Sequence, residues 1–147
     1  MKKDTWQIRR LAKQELAAAA SLAWRVFLQF EAYEYTEEGI EEFQAFIQDH
    51  EQWKKLLVYG AFEQQKLIGM LAMRENHISL LFVEKEYHRR GIAKALFHYM
   101  QGLEQHQSIT VNSSPYAVDA YQHLGFQAIE KEQLLNGIRF TPMKLGS

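Results

Sequence analysis

The residues with the most chemical content lie together at His88-Arg89-Arg90-Gly91-Ile92-Ala93-Lys94. An apolar run, residues 78–83, precedes them and reads as a strand. Ile92, Leu96, Tyr99, Met100 and Leu103 follow at helical spacing. A helix beginning here leaves its first amides without intrahelical partners, and its dipole adds partial positive charge at the same place. Arg89, Arg90 and Lys94 add full charges, and Gly91 has no side chain to block a close approach. That chemistry suits a diphosphate group. The plainer alternative is a solvated basic turn between a strand and a helix.

Other groups can move protons. Tyr121 lies in Ala120-Tyr121-Gln122-His123-Leu124-Gly125-Phe126. A phenol with a pKa near 10 is protonated at neutral pH and can donate. His77 and Ser79 sit on the strand before the basic turn, and Glu31 and Glu34 sit further upstream in an acidic loop. Each is a candidate general base. Glu34, between Tyr33 and Tyr35, can also hold an ammonium group by charge and ring face. From Val26 to Trp53 there are eight acidic residues and no Lys or Arg, which points to a cationic partner or to a solvated helix face.

The stretch from His88 to Ala93 resembles the acetyl-CoA loop of the GNAT N-acetyltransferase superfamily. That loop reads Gln or Arg, two residues, Gly, one residue, then Gly or Ala. His88 departs from the first position; because the loop binds phosphate mainly through backbone amides, the departure is expected to be tolerated. The segment ending Leu124-Gly125-Phe126 resembles the family's second signature, a helix carrying Tyr. The resemblance implies an acetyl-CoA-dependent N-acetyltransferase. It implies that backbone groups of Leu81, Phe82 and Val83 hold the pantetheine arm, with an amide of Phe82 or Val83 polarising the acetyl carbonyl. His88, Arg89, Arg90, Gly91, Ile92, Ala93 and Lys94 would form the diphosphate cradle. Asn112, Ser114, Tyr116, Ala117 and Tyr121 would line the other side of the cleft, with Tyr121 protonating the departing thiolate. The acceptor is expected to be a small-molecule or peptide primary amine, cationic before it reacts. The alternative is an acyl-CoA sensor or regulatory module without turnover.

The elements that must position these groups can be read from periodicity. Residues 5–10 read as a strand with Trp6 and Ile8 on one face, and residues 13–30 as a helix with Leu16, Ala20, Ala23 and Phe27 inward. A second helix starts after Thr36, a good N-cap, and turns Ile40, Phe43, Phe46 and Ile47 inward. Three strands follow, residues 56–63, 66–74 and 76–83, as an antiparallel meander. After the helix at 91–104 come a strand at 108–111, a helix capped by Ser114 with Pro115 in its first turn, and strands at 126–134 and 138–144. Asn136-Gly137 is a strong hairpin signal. Strand alternation puts His77, Ser79 and Leu81 on one face and Ile78, Leu80 and Phe82 on the other. The order β-α-α-β-β-β-α-β-α-β-β makes an α/β (α+β) fold. It matches the GNAT-like mixed, mostly antiparallel sheet of about seven strands with helices on both faces.

Composition narrows the rest. A length of 147 residues with 47% apolar content suits one domain spanning 1–147 with a real core. A net charge of −1 gives no basic field for nucleic acid, and two adjacent arginines are too few for such a footprint. No apolar run is long enough for a membrane span, and no secretory signal is visible. The chain has no cysteine, which suits a reducing cytoplasm, and its six scattered histidines give no metal-ligand spacing. Trp53, Tyr33 and Tyr35 are expected at the surface, lining either a substrate pocket or a homodimer contact.

Overall fold

A computed structural model describes residues 6–146. β1 (Gln7–Arg10) leads through a short turn into α1 (Leu16–Phe30), α2 (Glu37–Gln48) and the short α3 (His50–Lys54). β2 (Leu57–Glu63), β3 (Lys66–Arg74) and β4 (His77–Val83) form the meander. Then come α4 (Ile92–Leu103), β5 (Ser108–Ser113), α5 (Val118–His123), β6 (Gln127–Ala128), β7 (Gln133–Leu135) and β8 (Ile138–Gly146). The sheet runs β1-β2-β3-β4-β5-β8-β6, with β7 also on β8. Every pairing is antiparallel except β4 with β5.

Two apolar layers cover the two faces. One gathers Leu22, Ala23, Val26 and Phe27 of α1 with Ile47, Trp53, Val58, Met70, Leu80 and Phe82. The other gathers Ile92, Leu96, Phe97 and Met100 of α4 with Leu71, Ile78, Val111, Tyr121 and Phe126. In α1 the inward face is centred on Ala19, Ala23 and Phe27, so Leu16 and Ala20 lie at its margin. In α4, Phe97 is buried while Tyr99 and Leu103 are exposed.

Several expectations are refined. The first strand starts at Gln7; Thr5 lies outside the described residues. A third helix precedes β2, because Asp49 caps a new turn by accepting from the Glu51 amide. The strand expected over 126–134 is two short pieces, β6 and β7, which raises the count among the described residues to eight strands. Trp53 is buried, its Nε1 donating to the Ile47 carbonyl at 2.7 Å, and Tyr35 is half-buried; Tyr33 alone of the three is fully exposed.

The strand alternation needs a correction with consequences for the site. Ala72 pairs with Leu80 but Met73 pairs with Ile78, so Ser79 is the extra residue of a β-bulge. A bulge shifts the two-residue period by one and sharpens the local twist. Ile78 therefore packs in the α4 layer with Leu81 and Val83, while Leu80 and Phe82 pack under α1. Beyond the bulge β4 leaves β5: their parallel pairing covers only His77 with Thr110 and Ile78 with Val111. The edge of residues 79–83 facing β5 is left without a strand partner.

Candidate active site in the cleft between two splayed strands

The cleft opens where β4 and β5 diverge. The amide of Glu84 donates to Ile68 of β3 at 2.9 Å. Successive amides of a strand point to opposite sides, so Val83 and Leu81 aim theirs into the cleft, and Phe82 does not. The Phe82 side chain is buried under α1. Leu81 and Val83 are half-buried on the opposite face.

The turn after β4 is open and basic. Gly91 opens α4 in the left-handed region at φ 85°, and Arg89 adopts φ 66°. A Cβ at Gly91 would meet nothing within 4 Å, so the space over the first turn of α4 is open. The Ile92 side chain is buried, and its backbone amide, the first of α4, has no intrahelical partner. Arg89 and Lys94 are exposed beside it, Ala93 is half-buried, and the Arg90 guanidinium lies 5.0 Å from the centre of the Tyr87 ring. His88 turns back to the strand: its Nε2 lies 2.7 Å from the Val83 carbonyl. A carbonyl only accepts, so Nε2 carries the hydrogen. His88 thus ties the turn to the end of β4, which accounts for a histidine at that place. The open turn and the unpaired strand edge fit the diphosphate and the amide-bearing arm of a CoA molecule.

On the other wall, Ser114 caps the turn after β5, its Oγ accepting from the Ala117 amide at 3.3 Å. The Ser114 hydroxyl also hydrogen-bonds the Glu31 carboxylate. Glu31 ends α1. Burial pushes its pKa up to about 7, the Ser114 hydrogen bond partly offsets this, and the Glu34 charge adds to it. Tyr121, on α5, is buried at 6% exposure. Burial raises its pKa, with the Glu31 charge as a further cause, so the phenol holds its proton firmly. Phe30 packs between the His88 ring, at 4.8 Å, and the Tyr116 ring, at 5.3 Å, linking the basic turn to the start of α5. Asn112 is exposed on β5, where it alternates with buried Val111 and Ser113.

Glu31, Ser114, Tyr116 and Tyr121 thus come together, with Glu34 beside Glu31. His77 does not join them. It sits at the paired end of β4, its Nδ1 2.8 Å from the Thr110 hydroxyl, and burial lowers its pKa. At about 3.3 Å per residue, roughly 20 Å of strand separates it from Val83. Ser79 is taken up by the bulge. Of the acidic run, Glu37, Glu38, Glu41 and Glu42 are exposed on α2, Asp49 caps α3 and Glu51 pairs with Lys54 at 3.0 Å. Only Glu31 and Glu34 adjoin the cleft.

Next to the cleft is a pocket of about 250 Å³ lined by Tyr33, Glu34, Pro115, Glu132 and Arg139. Glu132 and Arg139 belong to the β7–β8 hairpin and escaped sequence reasoning; the Asn136-Gly137 turn was the signal that this hairpin folds back. The hairpin tip rests on α2: the Thr36 amide donates to the Gly137 carbonyl at 3.2 Å. A larger cavity, about 1190 Å³, lies between α1, α3 and β2 and shares no residue with the cleft. Among the described residues no cluster of His, Asp and Glu is arranged to hold a metal ion. No helix among them is long and apolar enough to cross a membrane.

Comparisons with known proteins agree with this architecture. An uncharacterized N-acetyltransferase of Escherichia coli (strain K12), YafP, is 31% identical over 98 residues, or 63% of this chain and 64% of that protein's length. A GCN5-related N-acetyltransferase structure from Rhodopseudomonas palustris superimposes with a TM-score of 0.84 at 22% identity, covering 100% of this chain and 99% of the other. The PaiA N-acetyltransferase of Thermoplasma acidophilum, solved in complex with coenzyme A, gives 0.73 at 19% identity, with 97% and 99% covered. The acetyltransferase (GNAT) domain family matches residues 31–147, from the cleft carboxylate to the end of the last strand, and this chain belongs to that family.

Proposed function

We propose that this protein is an acetyl-CoA-dependent N-acetyltransferase acting on a primary amine that is cationic before it reacts. The observation that carries the reading is the Glu31 carboxylate at the cleft, with its pKa near 7, beside the protonated phenol of Tyr121. Bound acetyl-CoA would supply an electrophilic thioester carbonyl and a thiolate leaving group. The backbone amides at 91–93, with Arg89 and Lys94, bind the diphosphate. The cleft edge of Leu81 and Val83 binds the pantetheine amides, and the Val83 amide, aimed into the cleft, stabilises charge on the acetyl oxygen.

An ammonium cannot attack, so a proton must leave first. Glu31 is the residue placed to take it, because a base with a pKa near the working pH combines availability with driving force. Ser114 orients that carboxylate. Tyr121 then gives its Oη proton to the departing sulfur, and Glu34 attracts the amine by charge. His77 has no role in this scheme; its position beside Thr110 suits a structural one.

Acetyl-CoA consumption and thiol release across a panel of primary amines test the reading, run beside CoA binding by calorimetry. Thiol release that depends on the amine supports it. CoA binding without release from any amine would instead favour a sensor that has lost turnover.

A further inference from the structure

We propose that the acceptor is an amino acid, with Arg139 receiving its carboxylate and Glu34 its ammonium group. The inference rests on the transferase reading and concerns the pocket beside Glu31.

Three separate parts of the chain build that pocket: Tyr33 and Glu34 after α1, Pro115 after β5, and Glu132 with Arg139 from the hairpin. Pro115 directly follows Ser114, the hydrogen-bond partner of Glu31, so the pocket adjoins the proposed base. Its volume of about 250 Å³ suits a small molecule. Both signs of charge line it, two carboxylates and one guanidinium. A polyamine would set a cation against Arg139, whereas a zwitterion matches both signs.

The acidic groups that would favour a polycation lie elsewhere, on the exposed face of α2. Glu34 Oε1 is buried with no hydrogen-bond partner among the described residues. A buried acceptor atom in that state lacks a donor, and an ammonium supplies one. Among the described residues Arg139 forms an ion pair with Glu132, at 3.6 Å, and both side chains are about half exposed. Such a pair contributes little and opens at little cost, while a guanidinium forms stronger, bidentate bonds with a carboxylate.

The hairpin that carries Arg139 is fixed against the acidic turn. A Cβ on Gly39 would lie 2.2 Å from the Gly137 carbonyl oxygen, and a Cβ on Gly137 would lie 2.0 Å from Thr36 Oγ1. The two backbones meet without side chains between them, which sets where Arg139 stands relative to Glu34.

The test uses matched pairs, each an L-amino acid and the amine left when its α-carboxylate is replaced by hydrogen: alanine with ethylamine, phenylalanine with phenethylamine, lysine with cadaverine. Wild-type protein is expected to prefer the carboxylate member by about tenfold or more in kcat/KM, mainly through KM. Arg139→Met is expected to erase that preference while leaving the simple amines within about twofold. Arg139→Lys should restore part of it, since it returns the charge without the planar fork. Equal or better turnover of the simple amines by wild type overturns the proposal, as does an Arg139→Met variant that loses both members equally. Thiol release from no acceptor, with CoA still bound, overturns the transferase reading and this inference with it.

Discussion

Replacing Glu31 by Gln tests the proton inventory of the cleft. The substitution keeps the size of the side chain and a hydrogen-bonding partner for Ser114, and removes the titrating group. In the folded protein the Glu31 pKa rises from 4.5 to about 7. Only roughly one molecule in ten then carries the ionised base at pH 6, against nine in ten at pH 8. The wild-type kcat/KM should therefore rise about tenfold between those pH values and level off above. In Glu31→Gln the inflection should vanish and the plateau should fall by about 10²–10⁴.

The assay is thiol release from pH 5.5 to 9. Two acceptors whose amine pKa values differ by about two units separate the enzyme's inflection from the acceptor's own titration. Stability gives a second readout. Because the folded-state pKa lies above the unfolded one, the folded protein holds the extra proton between pH 4.5 and about 7. Stability should fall as pH rises through that window and then stay flat. At about 1.4 kcal/mol per unit the upper bound is about 3 kcal/mol, reduced because Glu31 is only partly shielded from the cleft water. Glu31→Gln should flatten this dependence and melt above wild type at pH 8. A variant with wild-type rates, or one that keeps the inflection near pH 7, would refute Glu31 as the base.

Tyr121→Phe keeps the buried ring and removes the proton; kcat should fall by about 10²-fold or more with CoA affinity in calorimetry unchanged. Gly91→Ala puts a side chain at φ 85°, and should cost about 1–2 kcal/mol in thermal unfolding and weaken CoA binding by displacing the first amides of α4. Gly39→Ala drives a Cβ into the Gly137 carbonyl, with a loss of about 2 kcal/mol or more in chemical denaturation and a higher acceptor KM.

The sequence exposed most of the fold because local signals and packing agree. Thr36, Ser114 and Pro115 start helices where their chemistry predicts, and Asn136 and Gly137 both take positive φ in the hairpin turn. The open basic turn at Gly91 was legible for the same reason: the glycine and its charged neighbours lie within a few residues of one another. The bulge at Ser79 was not legible, since the apolar run that follows at residues 80–83 carries no alternation to mark a slip, and the slip is imposed by pairing with β3. Choosing Glu31 over His77 needed the far wall of the cleft. Burial raises Glu31 and the Glu34 charge adds to it, while Ser114, which offsets part of the shift, is more than eighty residues away in sequence. Arg139 was hidden likewise, because the docking of Gly137 on Gly39 joins two glycines about a hundred residues apart.

The two-residue pairing between β4 and β5 also makes a seam. On one side stand β1 to β4, and on the other β5, β6 and β8. Apart from that short ladder, much of what joins the halves beyond the bulge is side-chain packing and whatever fills the cleft. A molecule lying along both walls would act as mortar, raising the melting temperature in proportion to the logarithm of its concentration above its Kd. The same seam marks where the chain can be cut. Fragments severed in the loop between α4 and β5, at residues 104–107, should reassemble poorly alone and well when the cleft is filled, so that complementation itself reports ligand.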